Sequence, residues 1–150
     1  MNKELSILLV EDNEGDIVLT LEALKEAGGN TGVTVVKDGE AAMQYLHKKD
    51  AYINALLPDL ILLDINLPKM NGKEVLVKIK EDINLKMIPV VILTTSDSEK
   101  DILFAYNHGA NCYITKPSDY HQFLKEVQKI VEFWMHIVHL PNKKFYEQRD

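Results

Sequence analysis

Four short apolar runs in this chain stop at residues suited to phosphate or metal chemistry. The runs and the residues that follow them are Ile7–Val10 with Glu11 and Asp12, Leu60–Leu63 with Asp64, Val90–Leu93 with Thr94 and Thr95, and Tyr113–Thr115 with Lys116 and Pro117. Polar residues that follow parallel strands meet at the carboxyl edge of a sheet, which is where open α/β sheets bind ligands. The pattern therefore predicts a parallel sheet with one functional edge.

The stretches between these runs are longer and amphipathic, as expected for helices that connect parallel strands. The predicted strands are Leu5–Val10, Val33–Val36, Leu60–Asp64, Val90–Leu93 and Cys112–Ile114. Three of the five are apolar on both faces, which is typical of strands covered by helices on both sides. The fold class is therefore predicted to be α/β, with a doubly wound parallel sheet.

Helix ends are predicted from capping residues. Gly28 and Gly29 are predicted to end the first helix, Asp38 to cap the second, and Gly109 to end the fourth, which Ser98 and Asp101 would open as a capping box. These positions agree with the spacing of the strands.

Composition narrows the class of protein. At 150 residues we expect one domain, with a core from about 5 to 138 and a C-terminal tail at 139–150. The formal charge of −6 argues against a nucleic-acid surface, and the single cysteine, Cys112, excludes an internal disulfide. No stretch approaches the roughly 18 apolar residues of a membrane span, and no signal-peptide core follows Met1. A cytoplasmic location away from membranes is expected.

Glu11, Asp12 and Asp64 would bring three carboxylates to one sheet edge. Two such charges about 4 Å apart repel by about 4 kcal/mol at an effective dielectric constant of roughly 20, so a cation is expected among them. A few oxygen ligands with room for water and phosphate suit Mg²⁺. Lys116 and the hydroxyl of Thr94 can then stabilise a phosphoryl oxyanion. An aspartate in this setting can attack a phosphoryl group. No organic cofactor is expected, because no phosphate-binding glycine motif is present.

Taken together, these residues resemble the receiver domain of bacterial two-component response regulators. The segments that carry the resemblance are Glu11-Asp12, Asp64–Gly72, Thr94-Thr95 and Tyr113–Pro117. The resemblance extends from about Leu5 to about Val138 and implies a flavodoxin-like sheet of strand order 2-1-3-4-5.

The resemblance also implies a role for each site residue. Asp64 would accept a phosphoryl group from a phosphohistidine on a sensor histidine kinase. The implied Mg²⁺ ligands are Glu11, Asp12, Asp64 and the backbone carbonyl of Asn66. Lys116 would pair with Asp64 and then with the phosphoryl oxygens, followed by a cis Pro117. Thr94 would move to the phosphoryl group and draw Tyr113 inward, remodelling the face of the fourth helix, fifth strand and fifth helix. Thr95 would affect the lifetime of the phosphorylated state.

The segment Val10–Asp16 and the aromatic final helix are similar to phytochrome-associated single-domain response regulators. This implies a stand-alone receiver that is not an enzyme beyond its own phosphotransfer and autodephosphorylation. The partners that this resemblance implies are a sensor histidine kinase of the phytochrome type and a downstream protein target.

Alternatives remain open at this stage. One is a phosphotransfer intermediate that passes the phosphoryl group to another histidine in a multistep relay. Another is a Mg²⁺-dependent phosphatase with an aspartyl nucleophile, but Asn66 stands where such enzymes need a second Asp as acid and base. A flavodoxin-like cofactor binder is disfavoured, since Glu11–Glu14 would repel a phosphate there.

The final helix is predicted from Asp119 onward. Its core-facing residues are predicted to be Tyr120, Phe123, Leu124, Val127, Ile130, Val131, Trp134 and Val138. Phe133, Met135 and Ile137 widen the apolar arc beyond that face. Two explanations stay open: a homodimer through this helix, or burial under the tail Leu140–Asp150.

Overall fold

The computed structural model of the chain describes residues 4–27 and 30–142. Its strands are β1 (Glu4–Val10), β2 (Asn30–Val36), β3 (Leu60–Leu63), β4 (Val90–Thr94) and β5 (Cys112–Thr115). Its helices are α1 (Glu14–Glu26), α2 (Gly39–Leu46), α3 (Gly72–Glu81), α4 (Glu99–Asn107) and α5 (Tyr120–Glu132). A short 3₁₀ turn, Asp50–Tyr52, precedes β3.

The five strands form one parallel sheet in the order β2-β1-β3-β4-β5, so the predicted doubly wound fold and strand order are confirmed. Val10 pairs with both Val36 and Leu63, and Leu63 pairs with Ile92. The strands therefore end nearly level with one another, and the residues that follow them lie along one edge.

The sheet separates two apolar clusters, one on each face. Leu8, Ile61 and Ile92 pack on one side with α2 and α3, whereas Leu62 and Val91 pack on the other side with α5. Burial on both faces explains why β1, β3 and β4 appear in the sequence as uninterrupted apolar runs.

Most of the predicted helix ends can be compared with the structure. Asp38 caps α2 by accepting a hydrogen bond from the Ala41 amide, and Gly109 follows α4 with a φ of +93°. The proposed capping box is only half formed. Ser98 accepts from the Asp101 amide, but the Ser98 amide donates to the Ser96 hydroxyl, while the Asp101 carboxylate accepts from that hydroxyl and pairs with Lys73. The predicted stop at residues 28 and 29 lies outside the described residues.

Helix α5 continues into one π-helical turn, Phe133–Ile137. Met135 is buried in the core, so its assignment to the widened apolar arc was wrong: it follows Val131 by one helical turn and shares that residue's buried face. Phe133 and Ile137 are exposed by 47% and 72%. Leu140 packs partly against the same core, and the tail from residue 143 lies outside the described residues.

Tyr120, which was predicted to face the core, is 39% exposed and bonds through its hydroxyl to Glu22. No helix in the described part of the chain is both long and apolar enough to cross a membrane.

Candidate functional site

Backbone hydrogen bonds carry the strand alignment one residue past the strand ends. The Glu11 amide donates to the Val36 carbonyl at 3.0 Å, and the Asp64 amide donates to the Val10 carbonyl at 3.1 Å. The site residues Glu11 and Asp64 are therefore held side by side by the sheet itself.

The same alignment places Lys116 beside Thr94. The Lys116 amide donates to the Thr94 carbonyl at 2.6 Å, on the other side of the sheet centre. The alignment of β1, β3, β4 and β5 in the sheet therefore positions the residues of the site.

Lys116 lies at the centre of this edge, with a side chain that is only 4% exposed. Its ammonium group donates to Asp64 Oδ2 at 3.1 Å, to Asp16 Oδ2 at 2.9 Å and to Glu11 Oε1. An ammonium has three protons to donate, so each goes to a different carboxylate.

Glu11, Asp12 and Asp64 form a group whose carboxylate oxygens lie within 4.8 Å of one another. Glu11 and Asp64 are buried, and Asp12 is exposed. With Asp16 included, four carboxylates face one ammonium in the described part of the site. This excess of negative charge in a small, partly water-accessible space suits a hard divalent cation, so the residues present fit a metal.

The pKa values of Glu11 and Lys116 are shifted by the burial and the crowded charges of the site. Burial raises the pKa of Glu11, and the charge of Asp64 adds to the rise, while the hydrogen bond from Lys116 opposes it. Burial alone would lower the pKa of Lys116, but its hydrogen bonds with Glu11 and Asp16 outweigh that effect and raise it. Lys116 therefore stays cationic over the physiological range.

The loop after β3 packs tightly against Asp64. The Asn66 amide donates to Asp64 Oδ1 at 3.1 Å, which orients the carboxylate. A Cβ atom at Gly72 would lie 2.1 Å from the Asp64 carbonyl oxygen, so only glycine permits this approach. Beside Asp64, a surface depression is lined by Asp12 and Asn66.

Thr94 is the last residue of β4 and is fully buried. Its hydroxyl oxygen accepts a hydrogen bond from the Ser96 amide at 3.4 Å. The Tyr113 hydroxyl donates to the Ser96 carbonyl at 2.8 Å, and the Tyr113 amide donates to the Tyr106 hydroxyl at 3.1 Å. Tyr113 is thus already directed at the β4–α4 loop, and Thr95 is exposed in that loop.

Two helices hold the same loop from the other side. The Ser96 hydroxyl donates to Asp101 Oδ2 at 2.6 Å, and Lys73 forms an ion pair of 2.6 Å with Asp101. The Lys73 ammonium also lies 5.1 Å from the centre of the Phe104 ring. This contact links the start of α3 to the start of α4 next to the site.

The prediction of a cis Pro117 is wrong, because no peptide bond in the described residues is cis. A trans bond is the ordinary state of an X–Pro peptide, favoured by about 0.5–1 kcal/mol.

Sequence reasoning missed Asp16 and the Lys73–Asp101 pair. Both acids lie in the first turn of a helix, where an acidic residue is common because it interacts favourably with the helix dipole. The position of Asp16 one turn beyond the acidic pair was the available signal, but only the fold shows that it reaches Lys116.

The chain is similar to known proteins over most of its length. The family described as the response regulator receiver domain matches residues 7–128. The response regulator Rcp1 of a Synechocystis species is 46% identical over 135 residues, which cover 90% of this chain and 92% of that protein.

Two solved structures are similar over nearly their full lengths. The phosphorylated cyanobacterial phytochrome response regulator RcpA has a TM-score of 0.90 and 48% identity, covering 93% of this chain and all (100%) of that one. The Mn²⁺-bound form of Rcp1 has a TM-score of 0.88 and 45% identity, covering 91% of this chain and 99% of that one.

Proposed function

The chain belongs to the response regulator receiver family, and from that premise we propose that it is a signalling switch that accepts a phosphoryl group on Asp64. The observation that carries the proposal is the contact of 3.1 Å between Lys116 Nζ and Asp64 Oδ2 beside the carboxylates of Glu11 and Asp12. This arrangement presents a nucleophilic oxygen with a cation fixed next to it.

The donor in this proposal is a phosphohistidine of a sensor histidine kinase. An Asp64 oxygen attacks phosphorus, a P–O bond forms, the P–N bond breaks, and the departing imidazole takes a proton from solvent. Lys116 then moves its donor from Asp64 Oδ2 to a phosphoryl oxygen, which stabilises the negative charge there. The Asn66 amide keeps the other Asp64 oxygen in place.

The proposed metal is Mg²⁺, held by Glu11, Asp12, Asp64 and the backbone carbonyl of Asn66. When bound, it supplies positive charge that offsets the repulsion between the carboxylates and an incoming phosphoryl group. The Mn²⁺-bound form of Rcp1 supports a divalent metal in a similar protein.

The switch in this proposal is Thr94. Its hydroxyl oxygen, which accepts a hydrogen bond from the Ser96 amide at 3.4 Å, moves so that the hydroxyl donates its own proton to a phosphoryl oxygen, and the β4–α4 loop follows. Tyr113 bonds that loop through Ser96, so the change reaches the surface formed by α4, β5 and α5. Phosphorylation shifts the population between two packings of this surface, and a downstream protein binds one of them.

The kinase partner is proposed to be of the phytochrome type, because RcpA is described as a phytochrome response regulator. The downstream partner is a protein target or a phosphotransfer protein. Turnover of free phosphate esters is not part of the proposal, since Asn66 replaces the acid that a phosphatase would require.

The final helix is the proposed surface for a homodimer. Phe133 and Ile137 expose apolar area at the end of α5, and Leu103 and Tyr106 expose more on α4, by 56% and 50%. Light scattering at high concentration with and without beryllofluoride tests this proposal. Ile137→Lys should lower the dimer fraction and Ile53→Lys, at an exposed apolar residue elsewhere, should not; an unchanged monomer mass throughout would contradict it.

The test of the main proposal is intact mass after incubation with acetyl phosphate, with and without Mg²⁺. The native chain should gain one phosphoryl group only with Mg²⁺, and Asp64→Asn should gain none. Asp97→Asn, at an exposed aspartate of the β4–α4 loop, is the matched control and should behave as the native chain does. A gain that persists in Asp64→Asn would place the phosphoryl group elsewhere and reject the proposal.

A further inference from the structure

Asp16 contacts the central ammonium but stands apart from the acidic group that fits a metal. Its Oδ2 atom lies 2.9 Å from Lys116 Nζ, which is closer than Asp64 Oδ2 at 3.1 Å. The carboxylates of Glu11, Asp12 and Asp64 form the compact group, and Asp16 is not a member of it. Among the residues that the structure describes, the Asp16 carboxylate therefore has one partner in the site, Lys116.

The backbone of Asp16 is held firmly at the start of α1. Its amide donates to the Asn13 side chain at 2.9 Å, and its carbonyl accepts from the Thr20 hydroxyl at 2.7 Å. Thr20 is itself buried. The side chain of Asp16, 29% exposed, thus extends from a fixed point at the rim of the site to an ammonium that is only 4% exposed.

The three carboxylate partners of Lys116 do not change equally during phosphotransfer. Asp64 becomes an acyl phosphate, and Glu11 lies in the group that would hold the metal. Only Asp16 keeps the same charge and the same freedom to accept a hydrogen bond. A lysine ammonium sits on a flexible four-carbon stem, so it needs a fixed acceptor to hold one position while its other partners change.

We propose that Asp16 is a positioning residue that holds Lys116 in reach of the phosphoryl group while the other two contacts of the ammonium are exchanged. The inference rests on the proposed function of Asp64 and Lys116. In this role Asp16 contacts neither the phosphoryl group nor the metal. Asp16 affects phosphotransfer only through Lys116.

The test measures phosphorylation by acetyl phosphate over a range of donor concentrations at saturating Mg²⁺. Asp16→Ala should lower the maximal rate about tenfold, since a misplaced catalytic group costs one to two orders of magnitude. Asp16→Asn, whose amide oxygen still accepts a hydrogen bond, should recover part of that loss. Mn²⁺ affinity, followed by electron paramagnetic resonance, should change by no more than about threefold, because Asp16 is not placed as a ligand.

Glu14→Gln is the matched control. Glu14 is also acidic and in the first turn of α1, but it is exposed and pairs with Lys37 instead of Lys116. Its maximal rate should equal that of the native chain, and circular dichroism should show all three variants folded.

Three outcomes would overturn the inference while leaving the proposed function intact. A native maximal rate in Asp16→Ala would show that Lys116 needs no anchor. A faster rate would show that Asp16 restrains Lys116, and an equal loss in Glu14→Gln would trace the effect to the charge of the helix start. If the native chain itself takes up no phosphoryl group, the proposed function fails, and the inference fails with it.

Discussion

Two lysines of this molecule lie partly or wholly buried at opposite edges of the same sheet, and they differ in what surrounds them. Lys116 follows β5 at the carboxyl edge and contacts three carboxylates. Lys80 comes from the last turn of α3, at the other edge, and its ammonium donates to the carbonyls of Lys86 at 3.1 Å and Ile88 at 2.8 Å, and more weakly to Asn111 Oδ1 at 3.4 Å.

The two lysines show separately how burial and neighbouring charge change the pKa of a lysine. Burial works to lower the pKa of both lysines, but the carboxylates around Lys116 reverse the effect, whereas burial lowers the pKa of Lys80 to about 8. No ion pair in the described parts of the chain includes Lys80. In this chain the three carboxylates make Lys116 part of the acidic site, whereas Lys80 ties together the backbone segments around Lys86 and Ile88.

Replacing the first lysine should have the largest effect. Lys116→Met leaves Glu11, Asp16 and Asp64 without their shared cation. Phosphorylation by acetyl phosphate should slow by at least about 100-fold, and the free energy of unfolding without metal should fall by about 3 kcal/mol. Urea unfolding with and without Mg²⁺ checks the second effect, since Mg²⁺ should restore much of it. Lys37→Met, at an exposed pair, is the control; native phosphorylation kinetics in Lys116→Met would contradict the assignment.

Replacing the second lysine should affect stability alone. Lys80→Met keeps the aliphatic stem that packs near Gly109 but removes the hydrogen bonds to two carbonyl oxygens. The free energy of unfolding should fall by about 1–3 kcal/mol, the cost of leaving such groups unpaired. Phosphorylation kinetics should match those of the native chain and of Lys78→Met, an exposed lysine on the same helix. A slower phosphorylation rate would show that the two edges are coupled.

The pH dependence of stability should reveal the lowered pKa of Lys80. In the folded chain this pKa is about 8, below its ordinary value of 10.5, so the unfolded chain binds more protons between those pH values. Stability should therefore rise with pH through this window, by about 1–2 kcal/mol after allowance for partial solvent access. Urea unfolding at pH 7.5 and pH 10 should show this gain in the native chain and not in Lys80→Met; equal gains would refute it.

The smallest expected effect comes from making the second lysine resemble the first. Asn111→Asp places a carboxylate at the atom 3.4 Å from Lys80 Nζ and keeps an acceptor for the Val90 amide. The pKa of Lys80 should rise, and the gain in stability between pH 7.5 and pH 10 should shrink, with a net change at pH 7.5 within about 1 kcal/mol. Asn54→Asp, at an exposed site, should leave the pH profile unaltered. If Asn111→Asp had the same pH profile of stability as the native chain, a neighbouring charge would not control the pKa of Lys80.

Strands could be predicted where burial determines the residue type. β1, β3 and β4 are covered on both faces and appear as apolar runs, so their bounds were predicted to within one residue. The start of β2 was missed by three residues, because Asn30, Thr31 and Gly32 have no apolar pattern. They become strand through pairing with Glu4–Ser6 of β1, which is a tertiary effect.

Site residues could be predicted where they directly follow strands. Glu11, Asp12, Asp64 and Lys116 follow strands whose ends are aligned by the sheet, and the structure brings them together. Asp16 could not be found in this way, because its distance from Lys116 depends on how α1 packs against the sheet. The roles assigned to these residues remain predictions for the experiments above.

Tyr113 closes a ring of contacts through Ser96, helix α4 and Tyr106, because it is bonded at its hydroxyl and at its amide. In mechanical terms, such a ring is a linkage with few internal degrees of freedom. A displacement of the β4–α4 loop that keeps both hydrogen bonds is passed through Tyr113 to the Tyr106 hydroxyl. The loop that follows β4 and the half-exposed side chain of Tyr106 on α4 are therefore mechanically coupled through Tyr113.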